Sequence, residues 1–207
     1  MTSYRAGIDA VIPWLLVIAI VIVALTVVPV WSDKGQGSGV TALSESEAVE
    51  LTYMREEEKL ARDVYLLMHD LWTASVFDRI ATSEQQHMDT MQKMVVKYNL
   101  PDPVLPGYGT FTDPDLQSKY DALIATGSES FVAGLFVGAT IEEIDMVDIQ
   151  YAIDVTSHID LLMAYQHLLE GSKNHLRAYV GALADQGVEY APQYISQELF
   201  DAIMGVP

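Results

Sequence analysis

Apolar residues recur every three to four positions along four long stretches of the chain, the period of a helix with one buried face. The first stretch follows "SESE". Ser44 and Glu47 have the spacing of a capping box, in which the two residues bond each other's backbone N–H groups. A helix is therefore predicted to start near residue 45 and run through "AVELTYMREEEKLARDVYLLMHDLW" to about residue 71. A second covers about 76 to 98. "NLPDPVLPGYGTFTDP", with four prolines and two glycines, then breaks the pattern. "DPDLQSKYDALIATG" reads as a short helix with Gly127 as its stop. A third long helix fits 128 to 154, and a fourth fits about 157 to 186, ending before Gly187. The tail "VEYAPQYISQELFDAIM" adds one short helix. No strand pattern and no internal repeat are visible.

Four long amphipathic helices, two on each side of a proline-rich crossover, can bury a common core as a four-helix bundle. Short loops make the first two helices antiparallel neighbours, and likewise the last two. The long middle connection lets one pair be laid against the other.

The N-terminus has a different pattern. From Ala10 to Ser32, "AVIPWLLVIAIVIVALTVVPVWS", no residue is charged. A bilayer span needs about 20 residues. Trp14 and Trp31 stand near the two ends, where indoles favour the interface, and Arg5 precedes the stretch. The expected organisation is a membrane anchor or signal segment at 1–31, a Gly/Ser-rich tether at 32–43 and a helical bundle at 44–207. This predicts a single-pass protein of the cell membrane with its bundle outside the cytoplasm, or a secreted one after signal cleavage.

Composition narrows the chemistry. Asp and Glu number 29 against 11 Lys and Arg, a formal net charge of -18. Such a chain repels nucleic acid, and its basic residues form no stripe that would bind one. Cysteine is absent, which removes disulfides, thiolate metal sites, iron–sulfur clusters and thiol nucleophiles. Any metal must be held by oxygen and imidazole. Neither a Gly-rich phosphate loop nor a Gly-x-Ser-x-Gly elbow occurs.

Within "ATSEQQHMDTM", Glu84 and His87 are three residues apart on a predicted helix face shared with apolar neighbours. Burying a carboxylate and an imidazole is costly unless they pair or bind a cation. The first helix reads "EEEKLARDVY", giving Glu58, Ala61 and Tyr65 as Glu-x-x-Ala-x-x-x-Tyr. The centre of its apolar stripe falls near Glu57, with Glu58 to one side, so the helical wheel leaves both open. In the third helix, "ATIEEIDMVDI" puts Glu142 and Glu143 on opposite shoulders of the stripe. An approximate twofold between helix pairs ranks Glu143 first and Glu142 second, with Asp145 in reserve. The fourth helix offers His175 in "LLEGSKNHLRAY". "REEEK" by itself reads as a solvated charge run, and Met54, Met68, Met88, Met91, Met94 and Met146 as core fillers. His69, His158 and His167 have no partner at a metal-binding spacing and read as surface or capping residues.

Glu-x-x-Ala-x-x-x-Tyr followed by Glu-x-x-His resembles the ferritin-like carboxylate proteins. "YMREEEKLARDVY", "SEQQHMD" and "GSKNHLRAYV" are similar more narrowly to an uncharacterised prokaryotic ferritin-like family, over about residues 44 to 200. The resemblance implies an all-α, ferritin-like four-helix bundle with one long crossover, here joined to an N-terminal transmembrane helix. It implies metal ligands at Glu58, Glu84, His87, His175 and one of Glu143 or Glu142, with Tyr65 beside the metals as a redox residue. It implies iron, as a di-iron pair, with manganese and zinc suited to the same donors. The expected chemistry is oxidation of ferrous iron by oxygen or peroxide, or peroxide removal, so metal ions, oxygen or peroxide and the membrane are the expected partners. Self-association fits the same reading, although an anchor would obstruct a closed shell. The contrasting expectation is a cell-surface structural or interaction bundle with a degenerate site. Ser172 supports it, standing three residues before His175 where the family pattern has Glu.

Overall fold

The computed structural model describes residues 41–205. Six helices follow one another: α1 Glu45–Trp72, α2 Ser75–Lys97, α3 Pro114–Gly127, α4 Phe131–Val155, α5 Ile159–Asp185 and α6 Gln197–Met204. No strand occurs among the described residues. The predicted capping box is present at Ser44 and Glu47. Ser130 caps α4 by accepting the Ala133 N–H, so α4 starts about one turn later than its apolar pattern suggests.

The expected fold class, a ferritin-like bundle joined to a transmembrane helix, needs correction. Among the described residues the fold is all-α with six helices, and none is long and apolar enough to cross a membrane. The most apolar run within them is the first half of α4, and Glu142, Glu143, Asp145 and Asp148 follow it at once. The stretch 10–32 and most of the tether lie outside the described residues.

The long helices α1, α2, α4 and α5 form the bundle. Only Thr73 and Ala74 separate α1 from α2, and only Thr156–His158 separate α4 from α5, so each pair is antiparallel. Lys97 reaches Asp160 at 2.7 Å and Ser83 lies 2.9 Å from His175, which sets α2 antiparallel to α5. Tyr53 meets Asp148 and Tyr65 meets Glu142, which does the same for α1 and α4. Thus α2 and α4 run parallel, and residues 98–130 carry the chain back across the bundle. On the way, α3 packs on α1 and α4.

This arrangement surrounds α1. Arg55, Glu56, Glu57, Glu58 and Lys59 are all buried, at 5% exposure or less, so "REEEK" is no solvated run. Each charge goes to a different neighbour. Arg55 donates to the Met88 carbonyl and to Asp102. Glu56 accepts the N–H groups of Thr112 and Asp113 and so fastens the crossover. Lys59 bonds Asp63 and the Thr110 carbonyl, with the Phe111 ring 4.5 Å away. Glu57 faces Tyr53 and Lys119. Glu58 points toward the α2 side chains, meeting His87.

Two apolar clusters fill the bundle, one toward each end. One includes Ala61, Tyr65, Phe77, Ala81, Leu135, Ala139, Leu176 and Tyr179. The other includes Met54, Met91, Ile149, Leu161 and Leu168. Between them each long helix contributes one polar turn: Glu58; Glu84 and His87; Glu142 and Asp145; Ser172 and His175.

Candidate metal centre

The polar turns converge because each helix carries its charged residues at one height of an otherwise apolar face. Glu84 sits at the centre. Its Oε2 lies 2.8 Å from His87 Nδ1, and its Oε1 lies 2.8 Å from His175 Nδ1. Glu58 Oε2 approaches His87 Nδ1 at 3.2 Å, and Glu142 Oε2 approaches His175 Nδ1 at 3.3 Å. The rings of the two histidines are 5.5 Å apart. Two triads result, Glu58/Glu84/His87 and Glu84/Glu142/His175, each offering three donor atoms within 4.8 Å of one another. Glu84 is common to both.

The donors fit a cation. Ligand atoms about 2.1 Å from an ion and at right angles are separated by about 3 Å, and the carboxylate–imidazole pairs here stand 2.8–3.3 Å apart. Glu58 Oε1 and His175 Nδ1 are buried without an aligned hydrogen bond, although buried polar atoms are nearly always paired. Both imidazoles turn Nδ1 inward. His175 Nε2 is held by Ser83 Oγ at 2.9 Å, the kind of outer hydrogen bond that orients a ligating histidine.

Three carboxylates and two imidazoles packed together without a cation hold extra protons. Burial pushes Glu58 up to about 8, further than the His87 partner can draw it down. Burial likewise raises Glu142 despite His175 beside it. Burial opposes protonation of His87, but Glu58 and Glu84 push it up to about 12. Burial is outweighed at His175 too, where Glu142 and Glu84 push it up to about 10. Glu84 is itself held low, because two imidazoles overcome its burial.

Of the residues the sequence singled out, Glu58, Glu84, His87, Glu142 and His175 come together. Tyr65 lies alongside, its hydroxyl donating to Glu142 Oε1 at 2.5 Å. Glu143 does not join them, and the ranking of Glu143 over Glu142 is corrected. Its side chain turns to the C-terminal segment, accepting the Tyr190 hydroxyl at 2.7 Å and the N–H groups of Gln193, Tyr194 and Ile195. Adjacent helix positions point about 100° apart, so only one of the pair can face the bundle axis. Glu57 is separate as well: burial raises it to about 8, opposed by Lys119.

Three participants escaped the sequence reading. Ser83 precedes the Glu-x-x-His stretch and carries no signal of its own. Tyr179 packs with its ring tilted against Tyr65, centroids 5.3 Å apart, and reads as ordinary core. Gly171 did carry a signal, since a mid-helix glycine costs about 1 kcal/mol against alanine. A Cβ at this position would fall 2.6 Å from the His87 ring. The bare backbone of α5 therefore makes room for the imidazole. His87, Gly171, Asn174 and His175 line an opening between α2 and α5, with His167 at its outer edge.

Fold and site together define a helical bundle with a buried carboxylate–histidine cluster whose donor atoms could hold a metal ion. The chain belongs to the family described as "Uncharacterized protein domain (DUF2202)", whose model matches residues 47–207. It is 45% identical over 163 residues to the uncharacterized protein MJ0754 of Methanocaldococcus jannaschii, covering 78% of this chain and 88% of that one. A crystal structure titled as hypothetical protein MJ0754 superposes with a TM-score of 0.79 at 43% identity, covering 82% of this chain and 98% of the other.

Proposed function

We propose that this chain is a metal-binding bundle of the ferritin-like carboxylate kind, with a dinuclear iron or manganese centre used for redox chemistry. The reaction is oxidation of ferrous iron by oxygen or peroxide, or reduction of peroxide. The observation that carries this reading is Glu84, which presents one oxygen to each of two imidazoles. A carboxylate between two histidine-bearing triads is suited to bridge a pair of cations. Such ions supply electron transfer and open positions for a small oxidant.

The chain's own residues prepare the site. Glu58 and His87 would hold one ion, Glu142 and His175 the other. Ser83 fixes the His175 ring. Tyr65 holds a proton against Glu142, a position from which it can orient that carboxylate. The apolar clusters above and below exclude water, which strengthens every charge interaction between them. The opening beside His167 and Gly171 gives small species a way in.

A second reading, a structural or interaction bundle with a degenerate site, is favoured by Ser172 alone. Metal content separates the two. The full chain, purified from cells, is assayed for metals by elemental mass spectrometry beside Glu84→Gln and His87→Ala. Bound iron or manganese in the wild type, with at least about a tenfold loss of affinity in either variant, supports the metal centre. A wild type that takes up none after anaerobic exposure to ferrous iron leaves the structural bundle as the better account.

A further inference from the structure

Asp145 has no role in the cluster as described, and its surroundings are unusual. It is buried, with 5% of its surface exposed. Among the described residues it has no ion pair, and its one hydrogen-bond partner is the Ser172 hydroxyl at 2.5 Å. Lys119, a cation close enough to feel it, is engaged instead by Tyr53 and Glu57. After burial, the largest influences on Asp145 are four carboxylates, Glu58, Glu57, Glu142 and Glu84. A buried carboxylate beside four others and held by one hydroxyl is a costly structural pair. Asparagine would fill the same space without the charge.

On α4, Glu142 and Asp145 are three residues apart and share a face. Ser172 comes from α5, and its single hydroxyl proton has two acceptors in reach, Asp145 Oδ2 and its own Leu168 carbonyl at 3.0 Å; donated to Asp145, it orients that carboxylate. Ser172 is fully buried. We infer that Asp145 supplies the fourth carboxylate of a two-cation site, with Ser172 orienting it. On this view α4 provides the carboxylate that α5 lacks, and the serine is part of the site and no sign of its decay. Charge supports the assignment. Two divalent cations carry four positive charges, matched by Glu58, Glu84, Glu142 and Asp145 with neutral imidazoles. Without Asp145 a buried positive charge would be left over. The inference rests on the metal-centre reading above, and adds the fourth carboxylate and the residue that orients it.

The test uses the full chain, stripped with chelator and titrated with Mn(II), which stays in one oxidation state in the absence of oxidant. Bound metal per chain is counted by elemental mass spectrometry after desalting, and stepwise affinities come from calorimetry. The wild type should saturate at about two ions. Asp145→Asn should saturate at about one. Ser172→Ala should still reach two, with the weaker step losing about tenfold in affinity, as befits an orienting residue. Asp145→Asn combined with Ser172→Glu should regain the second ion. Metal-free Asp145→Asn should melt no lower than metal-free wild type, since it removes a crowded charge and keeps the shape. Two ions bound by Asp145→Asn at wild-type affinity would overturn the assignment and leave the metal centre standing. One ion in the wild type would overturn the assignment and the pairing of ions together, leaving a single-metal site. No ion in the wild type would overturn both.

Discussion

Glu142 and Glu143 are chemically identical neighbours with opposite duties. Glu142 lies in the cluster, hydrogen-bonded by Tyr65 and 3.3 Å from His175. Glu143 is a fastener, holding three backbone N–H groups and a phenol of the C-terminal segment. Leaving buried donors without a partner costs about 1–3 kcal/mol each, less where the segment can turn to water. Glu143→Ala should therefore destabilise the fold by about 2–4 kcal/mol and leave metal binding intact. Glu142→Gln should weaken metal binding at least about tenfold while the metal-free protein keeps its stability. Urea unfolding and metal titration of both variants check the pair of outcomes, and the reverse assignment would exchange them. The sequence could not make this distinction. Both residues sit on shoulders of one apolar stripe, and the twofold argument that favoured Glu143 takes no account of a C-terminal segment that demands an acceptor.

Between elements, one carboxylate joins two helix starts. Glu47 belongs to the first turn of α1 and receives the Ser44 N–H there. Its other oxygen accepts the Ser157 N–H and lies 2.7 Å from His158 Nδ1, at the turn into α5. Burial alone would raise the Glu47 carboxyl, but His158 and the N–H groups of Ser157 and Ser44 hold it well below its ordinary 4.5. A carboxylate lowered in this way contributes stability that is present above about pH 4.5 and is lost as pH falls toward its folded value. Acid unfolding should thus include a component from this contact. In Glu47→Gln that limb should flatten, with reduced stability at neutral pH, as followed by circular dichroism against pH. An unchanged acid profile would mean that the contact carries no weight. The capping box that begins α1 was legible in sequence. The second use of its glutamate was not, because residues 47 and 157 meet only when α1 lies against the α4–α5 turn.

For the whole molecule, the bundle crowds carboxylates and imidazoles into one buried layer between two apolar clusters. Removing metal leaves those charges to share protons, so a metal-bound protein should be markedly more stable than a stripped one. At metal 100-fold above its dissociation constant the gain is about 2.7 kcal/mol per site, about 5–10 °C in melting temperature for a domain of this size. Metal uptake should also release protons, because carboxyls raised by burial must ionise to bind. A weakly buffered titration would register that release. Identical melting with and without metal would show that the cluster is indifferent to it.

Helix number, the crossover, the capped start of α1 and the Glu84/His87 face follow from the sequence alone. Each depends on local periodicity, on proline and glycine, or on residues within one or two turns of each other. Only the tertiary structure decided that "REEEK" is buried on every side, because burial of α1 depends on how many neighbours surround it. The choice of Glu142 and the roles of Gly171 and Ser83 were decided there too. So was the pairing of Ser172 with Asp145. Each of these is a meeting of two helices whose relative rotation no single helix pattern contains.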